Sequence, residues 1–174
     1  MTKHIFRVPV DYEHWTDTIE VGKQYAQLLP FLIVSEQEVL RGIAKDGILR
    51  YWGSIPGMYN TETFKLLTEG DEILFYRRWK YIGLATIAFK TQNPNLARHS
   101  WGERPDRKTW ELMYFLRDVS LFNIDLSVIN RELGYRDLPV IGFSYINQGN
   151  TNAFYAKHGS LAQFLGKTEN KKAA

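Results

Sequence analysis

The chain has 174 residues, of which 44% are hydrophobic and 14% aromatic, a composition that favours one globular domain with a sizeable core and argues against disorder. It contains no cysteine, so disulfides, thiolate metal sites and cysteine nucleophiles are excluded. The net charge of +3 and the pI near 9.0 permit a polyanionic partner without requiring one.

Neither a membrane segment nor a secretion signal is evident. The longest apolar run, residues 28–34, contains a proline and is far too short to span a bilayer. The N-terminus lacks the basic, apolar and small-residue pattern of a signal peptide. We therefore expect a soluble, cytoplasmic protein with no membrane partner.

The first third of the chain is predicted to start with a strand and continue with helices. Residues 5–10 alternate apolar and polar side chains, and Pro9 indicates either an edge strand or the strand's end. Apolar spacing predicts a helix over residues 16–29. The capping-box sequence Ser35-Glu36-Gln37-Glu38 predicts a second helix to about residue 45, followed by a strand over residues 48–52.

The middle of the chain is rich in β-branched and aromatic residues. A short helix is predicted over residues 61–67. Residues 72–77 and 80–90 predict a β-hairpin. One helical turn over residues 95–100 and a long strand over residues 109–124 follow.

The last third is predicted to contain a helix over residues 125–134, a strand over residues 140–146 and a helix over residues 151–165. Residues 1–166 then form a single domain, and residues 167–174 are a polar tail or the start of a linker. About six strands in the middle of the chain, flanked by helices, indicate an α+β fold with a curved sheet or small β-barrel.

Catalytic signatures are missing from this sequence. Its four histidines lack metal-ligand spacing, and none lies beside an acidic partner in a recognisable motif. The glycines are too scattered for a phosphate-binding loop, and no nucleophile elbow is present. We therefore predict no catalytic residues, no metal and no cofactor.

Two tryptophans stand beside glycines in segments that read as loops or strand ends. Trp52 precedes Gly53 and Ser54, and Trp101 precedes Gly102. An aromatic face with little bulk beside it suits the stacking of a flat ring, and exposed backbone at Gly53 and Ser54 can read the edge of a base. The alternatives are a barrel plug for Trp52 and a lid residue for Trp101.

Basic residues accompany two of the aromatic positions. Arg98 and Arg104 flank Trp101, an arrangement that can hold phosphates while a base stacks. Trp79 is expected at the hairpin tip among three cations, namely Arg77, Arg78 and Lys80. It could act as a wedge into a duplex or be surface cation–π decoration.

The other two tryptophans give weaker signals. Trp110 lies in a period-two apolar run with Leu112 and Tyr114, which predicts a core position. Trp15 is either core or a wall near the end of the first strand, and the sequence leaves both open.

A family resemblance emerges from the order of these motifs. Tyr51-Trp52-Gly53-Ser54-Ile55-Pro56, the following helix and the paired strands ending in Gly83-Leu84-Ala85 resemble the centre of the YTH domain. His99-Ser100-Trp101 is similar to the family's second cage tryptophan. Gly70-Asp71 and Lys108-Thr109-Trp110-Glu111 resemble the related EVE domains of the PUA-like superfamily. Over roughly residues 4–146, the chain most resembles the EVE/YTH-like N-terminal domains of McrBC-type modification-dependent restriction GTPases.

The resemblance implies a PUA-like fold and a modified-base reader. YTH domains hold N6-methyladenine in an aromatic cage, which implies cage walls at Trp52 and Trp101 and base contacts from the backbone of Gly53 and Ser54. The end of the first strand is a further source of base contacts. There, Asp11 would accept a hydrogen bond from an exocyclic N–H, and Tyr12 lies next to it.

This chain departs from the family pattern in two ways. Gly53 replaces the usual serine, and no asparagine lies near Asp11 in the sequence. The third cage wall is not identifiable, with Trp15, Tyr12 and Tyr59 as the candidates.

The resemblance implies a non-catalytic module that flips a methylated base, N6-methyladenine first, out of DNA. Phosphate contacts from Arg77, Arg78, Lys80, Arg98 and Arg104 would offset the cost of flipping. An AAA+ GTPase and a nuclease subunit would be its partners. Three alternatives remain open: an RNA N6-methyladenine reader, a DNA 5-methylcytosine reader, and a PUA-like RNA-modifying or nuclease enzyme that uses Asp11, Glu111 or a histidine.

Overall fold

The computed structural model describes the backbone of residues 2–173 and the side chains of residues 2–168. Its strands form one sheet in the order β2-β3-β6-β5-β4-β1-β7. The strands are β1 (Ile5–Pro9), β2 (Lys23–Gln24), β3 (Ile48–Ser54), β4 (Glu72–Arg77), β5 (Lys80–Gln92), β6 (Leu112–Asp125) and β7 (Ser144–Tyr145).

Helices surround this sheet, and most of them are short. The helices are α1 (Tyr12–Trp15), which continues as a π-helical turn (Thr16–Val21), α2 (Tyr25–Leu28), which continues as a 3₁₀ turn (Leu29–Phe31), α3 (Val34–Ile43), α4 (Met58–Leu66), α5 (Pro94–Trp101), α6 (Leu126–Glu132), α7 (Gln148–His158) and α8 (Leu161–Ala173). No helix in the described part of the chain is long and apolar enough to cross a membrane.

The sheet is strongly curved, and its curvature originates in β5 and β6. Their antiparallel ladder changes register at three places, and such bulges bend and twist a strand pair. At one of these places, Gly83 leaves room for the indole of Trp15, because a Cβ at Gly83 would lie 2.5 Å from Trp15 Cη2. The sheet therefore curls around an inner core that includes Trp15.

The curl brings β1 and β3 towards each other although they are not hydrogen-bonded neighbours in the sheet. Phe6 and Val8 of β1 share the inner core with Trp52 of β3. We call the open gap between these two strands the seam. The fold is thus a partly closed barrel whose last junction is made by side chains rather than by a backbone ladder.

The α+β fold class is confirmed, as are most of the predicted elements. Pro9 is the last residue of β1, and the hairpin of β4 and β5 has the predicted start and turn. The predicted helix over residues 16–29 is wrong in detail. The chain instead forms a π-helical turn there, which Gly22 ends with a φ of 79°.

Three further boundaries differ from the prediction. Helix α3 is capped by the Glu36 carboxylate, which accepts from the N–H of Ile33 at 3.0 Å, so Ser35 is not its N-cap. The strand over residues 140–146 is reduced to β7. Helix α8 continues through Gly166 into the predicted polar tail, whose residue 174 and side chains beyond residue 168 lie outside the described part of the chain.

Candidate functional site: a pocket at the seam

A pocket with a volume of about 370 Å³ opens at the seam between β1 and β3. This volume falls within the range of roughly 300–1,000 Å³ that small-molecule sites occupy. Its lining comes from five separate segments of the chain: Val8, Pro9 and Asp11; Trp52, Gly53, Ser54, Ile55 and Pro56; Asn60; Arg104, Asp106, Lys108 and Trp110; and Gly142 and Phe143. The pocket therefore includes four of the predicted base-binding residues: Trp52, Gly53, Ser54 and Asp11.

Trp52 forms part of the pocket floor. It lies inside β3, which continues to Ser54, rather than at the strand's end as predicted. Only 4% of its surface is exposed, because the indole also belongs to the inner core. Trp52 therefore combines the two readings that the sequence left open, since one residue supports the core and lines the cleft.

Trp101 lies behind the pocket rather than on its surface. It is the last residue of α5, not a loop residue, and Gly102 ends the helix with a φ of 72°. The centroid of its ring is 5.9 Å from that of Trp52, and the ring planes are inclined by 58°. At this distance the two rings touch each other. Trp52 and Trp101 are thus brought together as predicted, but as a tilted contact pair rather than as parallel walls on either side of a base.

Trp110 lines the pocket, so its prediction as a core residue is wrong. Strand β6 begins only at Leu112, and Trp110 therefore does not follow the alternation of that strand. Its half-buried ring meets His14 and Trp101 edge-on, with centroid distances of 5.5 Å and 6.4 Å. The period-two signal was misleading because residues 112–116 are buried on both faces of the sheet.

Phe143 is a further aromatic lining residue, and sequence reasoning did not single it out. It stacks on Tyr114 at 5.3 Å and on Phe6 at 5.5 Å, which fixes its ring beside the seam. Its only sequence signal was membership of a predicted strand. Trp110 and Phe143 are thus two aromatic lining residues of the pocket that the sequence did not indicate.

The three candidates for a third cage wall lie elsewhere. Trp15 is buried in the core, where its Nε1 donates to Glu20 Oε1 at 3.0 Å. Tyr12 and Tyr59 are 56% and 80% exposed, and neither lines the pocket.

Asp11 and Asn60 supply side-chain oxygen to the pocket. Asp11 caps α1 by accepting from the backbone N–H of His14 at 2.9 Å, and its second oxygen lies 2.8 Å from His14 Nδ1. Asn60 donates from Nδ2 to the carbonyl of Ile55 at 2.8 Å, an orientation that leaves its Oδ1 as an acceptor. An asparagine does therefore share the pocket with Asp11, but α4 brings it there from a distant part of the sequence.

A basic loop, Gly102–Lys108, borders one side of the pocket. The N–H of Arg104 donates to the carbonyl of Lys108 at 2.9 Å, which folds the loop back on itself. Arg104 and Lys108 then line the pocket mouth. Arg98 is less available than predicted, because its Nε lies 3.1 Å from Glu103 Oε2.

The β4–β5 hairpin tip is fixed next to α1. Arg78 and Trp79 have φ values of 47° and 65°, which are typical of the tightest hairpin turns. The Arg77 guanidinium lies 4.7 Å from the centre of the Tyr12 ring, so the tip stands beside the residue that follows Asp11. Trp79 itself is 55% exposed. Lys80 lies 4.0 Å from Asp125.

The two buried tyrosines near the pocket, Tyr51 and Tyr114, carry no charge at neutral pH. Burial raises the pKa of Tyr51 to about 12, and this effect outweighs a 2.8 Å hydrogen bond with Ser100 Oγ, which lowers the pKa. Burial also raises the pKa of Tyr114. Among the residues that the structure describes, no group of three or more acidic or histidine side chains is placed to hold a metal ion.

Comparison with known proteins gives a structural relative. No family model and no curated protein matches this sequence. Among solved structures, the N-terminal domain of Thermococcus gammatolerans McrB bound to m5C DNA matches with a TM-score of 0.66 and 15% identity, covering 88% of this chain and 96% of that one. At this level of identity the match concerns the fold. This chain therefore has the α+β fold of an McrB N-terminal domain, as its sequence motifs suggested.

Proposed function

We propose that this chain is a non-catalytic DNA-binding module that takes a methylated base into the seam pocket. The observation that carries the proposal is the lining of that pocket. Trp52, Trp110 and Phe143 contribute aromatic residues to the lining of a cleft that Asp11 and Asn60 also line. The McrB domain with the same fold was solved with m5C DNA, which supports a modified duplex as the ligand.

The base we propose first is N6-methyladenine. Its exocyclic nitrogen keeps one N–H, for which the Asp11 carboxylate is a suitable acceptor, while the ring and methyl group pack against Trp52 and Trp110. Trp101 acts in this arrangement as a support, since it contacts both of those rings. The backbone of Gly53 and Ser54 lies at the same edge of the pocket.

A second candidate is 5-methylcytosine, and one observation favours it: the McrB domain of the same fold was solved with that modification. Cytosine also carries an exocyclic amine that can donate to Asp11 or Asn60. The two bases differ in ring size and in the position of the methyl group. Direct comparison of the two marks therefore decides between them.

The energetics require contacts beyond those to the base. A methyl group contributes only about 1 kcal/mol by burial, whereas extruding a base from a duplex costs a few kcal/mol. Phosphate contacts from Arg104, Lys108 and Arg78 would offset that cost, and binding would weaken as salt increases. In this proposal, Arg77 instead holds the hairpin tip against Tyr12.

A reader of this kind binds the mark and would act through other domains or proteins. We propose an AAA+ GTPase and a nuclease, in the same or separate chains, as the partners that respond to the bound mark.

The test is a binding titration with matched oligonucleotides that carry N6-methyladenine, 5-methylcytosine or no modification, as DNA and as RNA. Asp11→Ser keeps a residue that caps helices well but removes the carboxylate, so affinity for the preferred methylated DNA is expected to fall. Asp125→Ser, which removes a carboxylate from the N-cap position of α6, is the control for the loss of one negative charge and is expected to bind normally. Equal affinity of the wild-type protein for methylated and unmethylated oligonucleotides would overturn the proposal, and a preference for RNA would reassign the ligand.

A further inference from the structure

The two sides of the pocket mouth differ sharply in chemistry. On one side, the basic loop Gly102–Lys108 contains three cations and two carboxylates. On the other side, residues 55–60 and residues 138–143 contain no charged residue. Both of these uncharged segments contribute lining residues, namely Ile55, Pro56 and Asn60 from the first and Gly142 and Phe143 from the second.

Three large apolar side chains project into solvent from the uncharged side. Met58 is 76% exposed, Tyr59 80% and Ile141 87%. We call these three residues the apolar rim. They come from two neighbouring segments, because a Cβ at Gly142 would lie 3.9 Å from Asn60 Oδ1. Single exposed apolar residues are ordinary, but a group of three beside a pocket indicates a contact surface.

We infer that the apolar rim inserts into the DNA duplex next to the extruded base. This inference rests on the proposed function. When a base leaves the stack, its neighbours expose apolar faces, and Met, Ile and aromatic side chains are the kind that fill such gaps in DNA. The opposite, basic side of the mouth is then free to hold the backbone phosphates.

The position of the rim supports this role. Met58 and Tyr59 directly precede Asn60, and Ile141 directly precedes Gly142, so each rim residue is within two positions of a pocket-lining residue. Both segments are attached to the pocket, because Asn60 of α4 is hydrogen-bonded to the carbonyl of Ile55 and Phe143 is stacked on Phe6 of β1. The rim therefore lies at the edge of the pocket that a base would enter.

The experiment compares duplex and single-stranded DNA that carry the same modified base. The variants are Met58→Ser combined with Tyr59→Ser, and Ile141→Ser. The matched control is Val34→Ser, which removes an equally exposed apolar side chain (71%) from α3, outside the pocket. Circular dichroism and thermal unfolding establish that each variant folds.

If the rim is a wedge, we expect both rim variants to bind the modified duplex about tenfold more weakly, since the unstacking that they assist costs a few kcal/mol per step. Their affinity for the single strand, which needs no unstacking, is expected to stay within about twofold of the wild type. The fluorescence of 2-aminopurine placed beside the modified base is expected to rise with the wild type and with Val34→Ser, and to rise less with the rim variants.

Other outcomes contradict the inference. Wild-type affinity of the rim variants for the duplex would show that the rim serves something else, such as a protein partner. Equal losses on duplex and single strand would make the rim a wall of the pocket rather than a wedge. If the wild type itself ignores the modification, the proposed function has failed first, and this result is distinguishable because it is seen without any variant.

Discussion

The indole edge of Trp101 lies directly against the backbone of Gly53. A Cβ at Gly53 would be 2.7 Å from Trp101 Cζ3 and 2.2 Å from the carbonyl oxygen of Trp110. Gly53 is therefore needed for the packing of Trp101 and Trp110. The groups that approach the Gly53 backbone closely are the Trp101 ring and the Trp110 carbonyl of the protein itself, rather than a ligand.

We predict that Gly53→Ala lowers the free energy of unfolding by about 1–3 kcal/mol, because backbone or indole has to move. Chemical denaturation and tryptophan fluorescence measure the effect. Gly42→Ala is the control, since nothing lies within 4 Å of its Cβ position in α3, and it is expected to stabilise the protein by roughly 0.5–1 kcal/mol. Unchanged stability of Gly53→Ala would mean that this packing is not tight in solution.

Trp110→Ala is predicted to remove the preference for the methylated base. The loss of one wall around a methyl group is worth about 1 kcal/mol, or roughly a fivefold change in the ratio of the two affinities. Trp79→Ala, an exposed tryptophan outside the pocket lining, is expected to leave that ratio unchanged. Fluorescence anisotropy with methylated and unmethylated oligonucleotides gives both ratios, and a wild-type ratio for Trp110→Ala would remove this residue from the cage.

Trp79→Gly separates fold from function at the hairpin tip. A tryptophan with a φ of 65° lies in the left-handed region, where glycine is favoured by about 1 kcal/mol. We therefore expect this variant to be as stable as the wild type or slightly more so. Its affinity for duplex DNA is nevertheless expected to fall, and to fall more than its affinity for single-stranded DNA. Equal effects on the two forms of DNA would argue that Trp79 does not act on the duplex stack.

Charge reversal at the basic loop is expected to weaken DNA binding without changing its selectivity. Arg104→Glu and Lys108→Glu remove phosphate contacts, so affinity falls for methylated and unmethylated DNA alike and becomes less dependent on salt. Arg41→Glu, on the exposed face of α3, is the control for net charge. Titrations at several salt concentrations measure the slope, and an unchanged slope would place the DNA backbone elsewhere.

A pH-dependent contribution to stability links α6 and α7. Hydrogen bonds from Lys157 and His158, at 2.6 Å and 2.7 Å, lower the pKa of Glu132 below its ordinary value of 4.5. A carboxylate whose pKa is lower in the folded state stabilises the protein above the unfolded pKa, and this stabilisation is lost as pH falls through the folded value.

We therefore expect Glu132→Gln to lower the melting temperature at neutral pH, and this difference to shrink at about pH 3. Glu62→Gln removes a largely exposed pair with Lys65 and is expected to change little at either pH. If the difference in melting temperature between the wild type and Glu132→Gln is the same at both pH values, the stabilisation by Glu132 is not electrostatic.

Local patterns were sufficient for most of the fold. The boundaries of β4 and the turn at Arg78-Trp79 followed from β-branched residues on either side of a short polar segment. The π-helical turn Thr16–Val21 did not, because it depends on Trp15 finding its place above Gly83, a contact between residues far apart in the sequence.

The site was predictable only in part, for the same reason. Trp52, Asp11 and Ser54 could be predicted as pocket residues because they belong to motifs that are continuous in sequence. Asn60 and Phe143 reach the pocket only through the curl of the sheet, which no single segment encodes. Trp110 was misplaced because its neighbours in β6 are buried on both faces, which removes the contrast that a periodic pattern needs.

The seam has a consequence for how this domain could change its target. Five separate segments meet at a junction that no backbone ladder crosses, so a substitution in the lining alters what the cleft accepts while leaving the hydrogen bonds of the sheet intact. A ligand held there would also bridge β1 and β3, which are not hydrogen-bonded to each other. Recognition and closure of the seam would then be a single event, and each ligand that fits would raise the melting temperature by an amount that grows with the logarithm of its affinity.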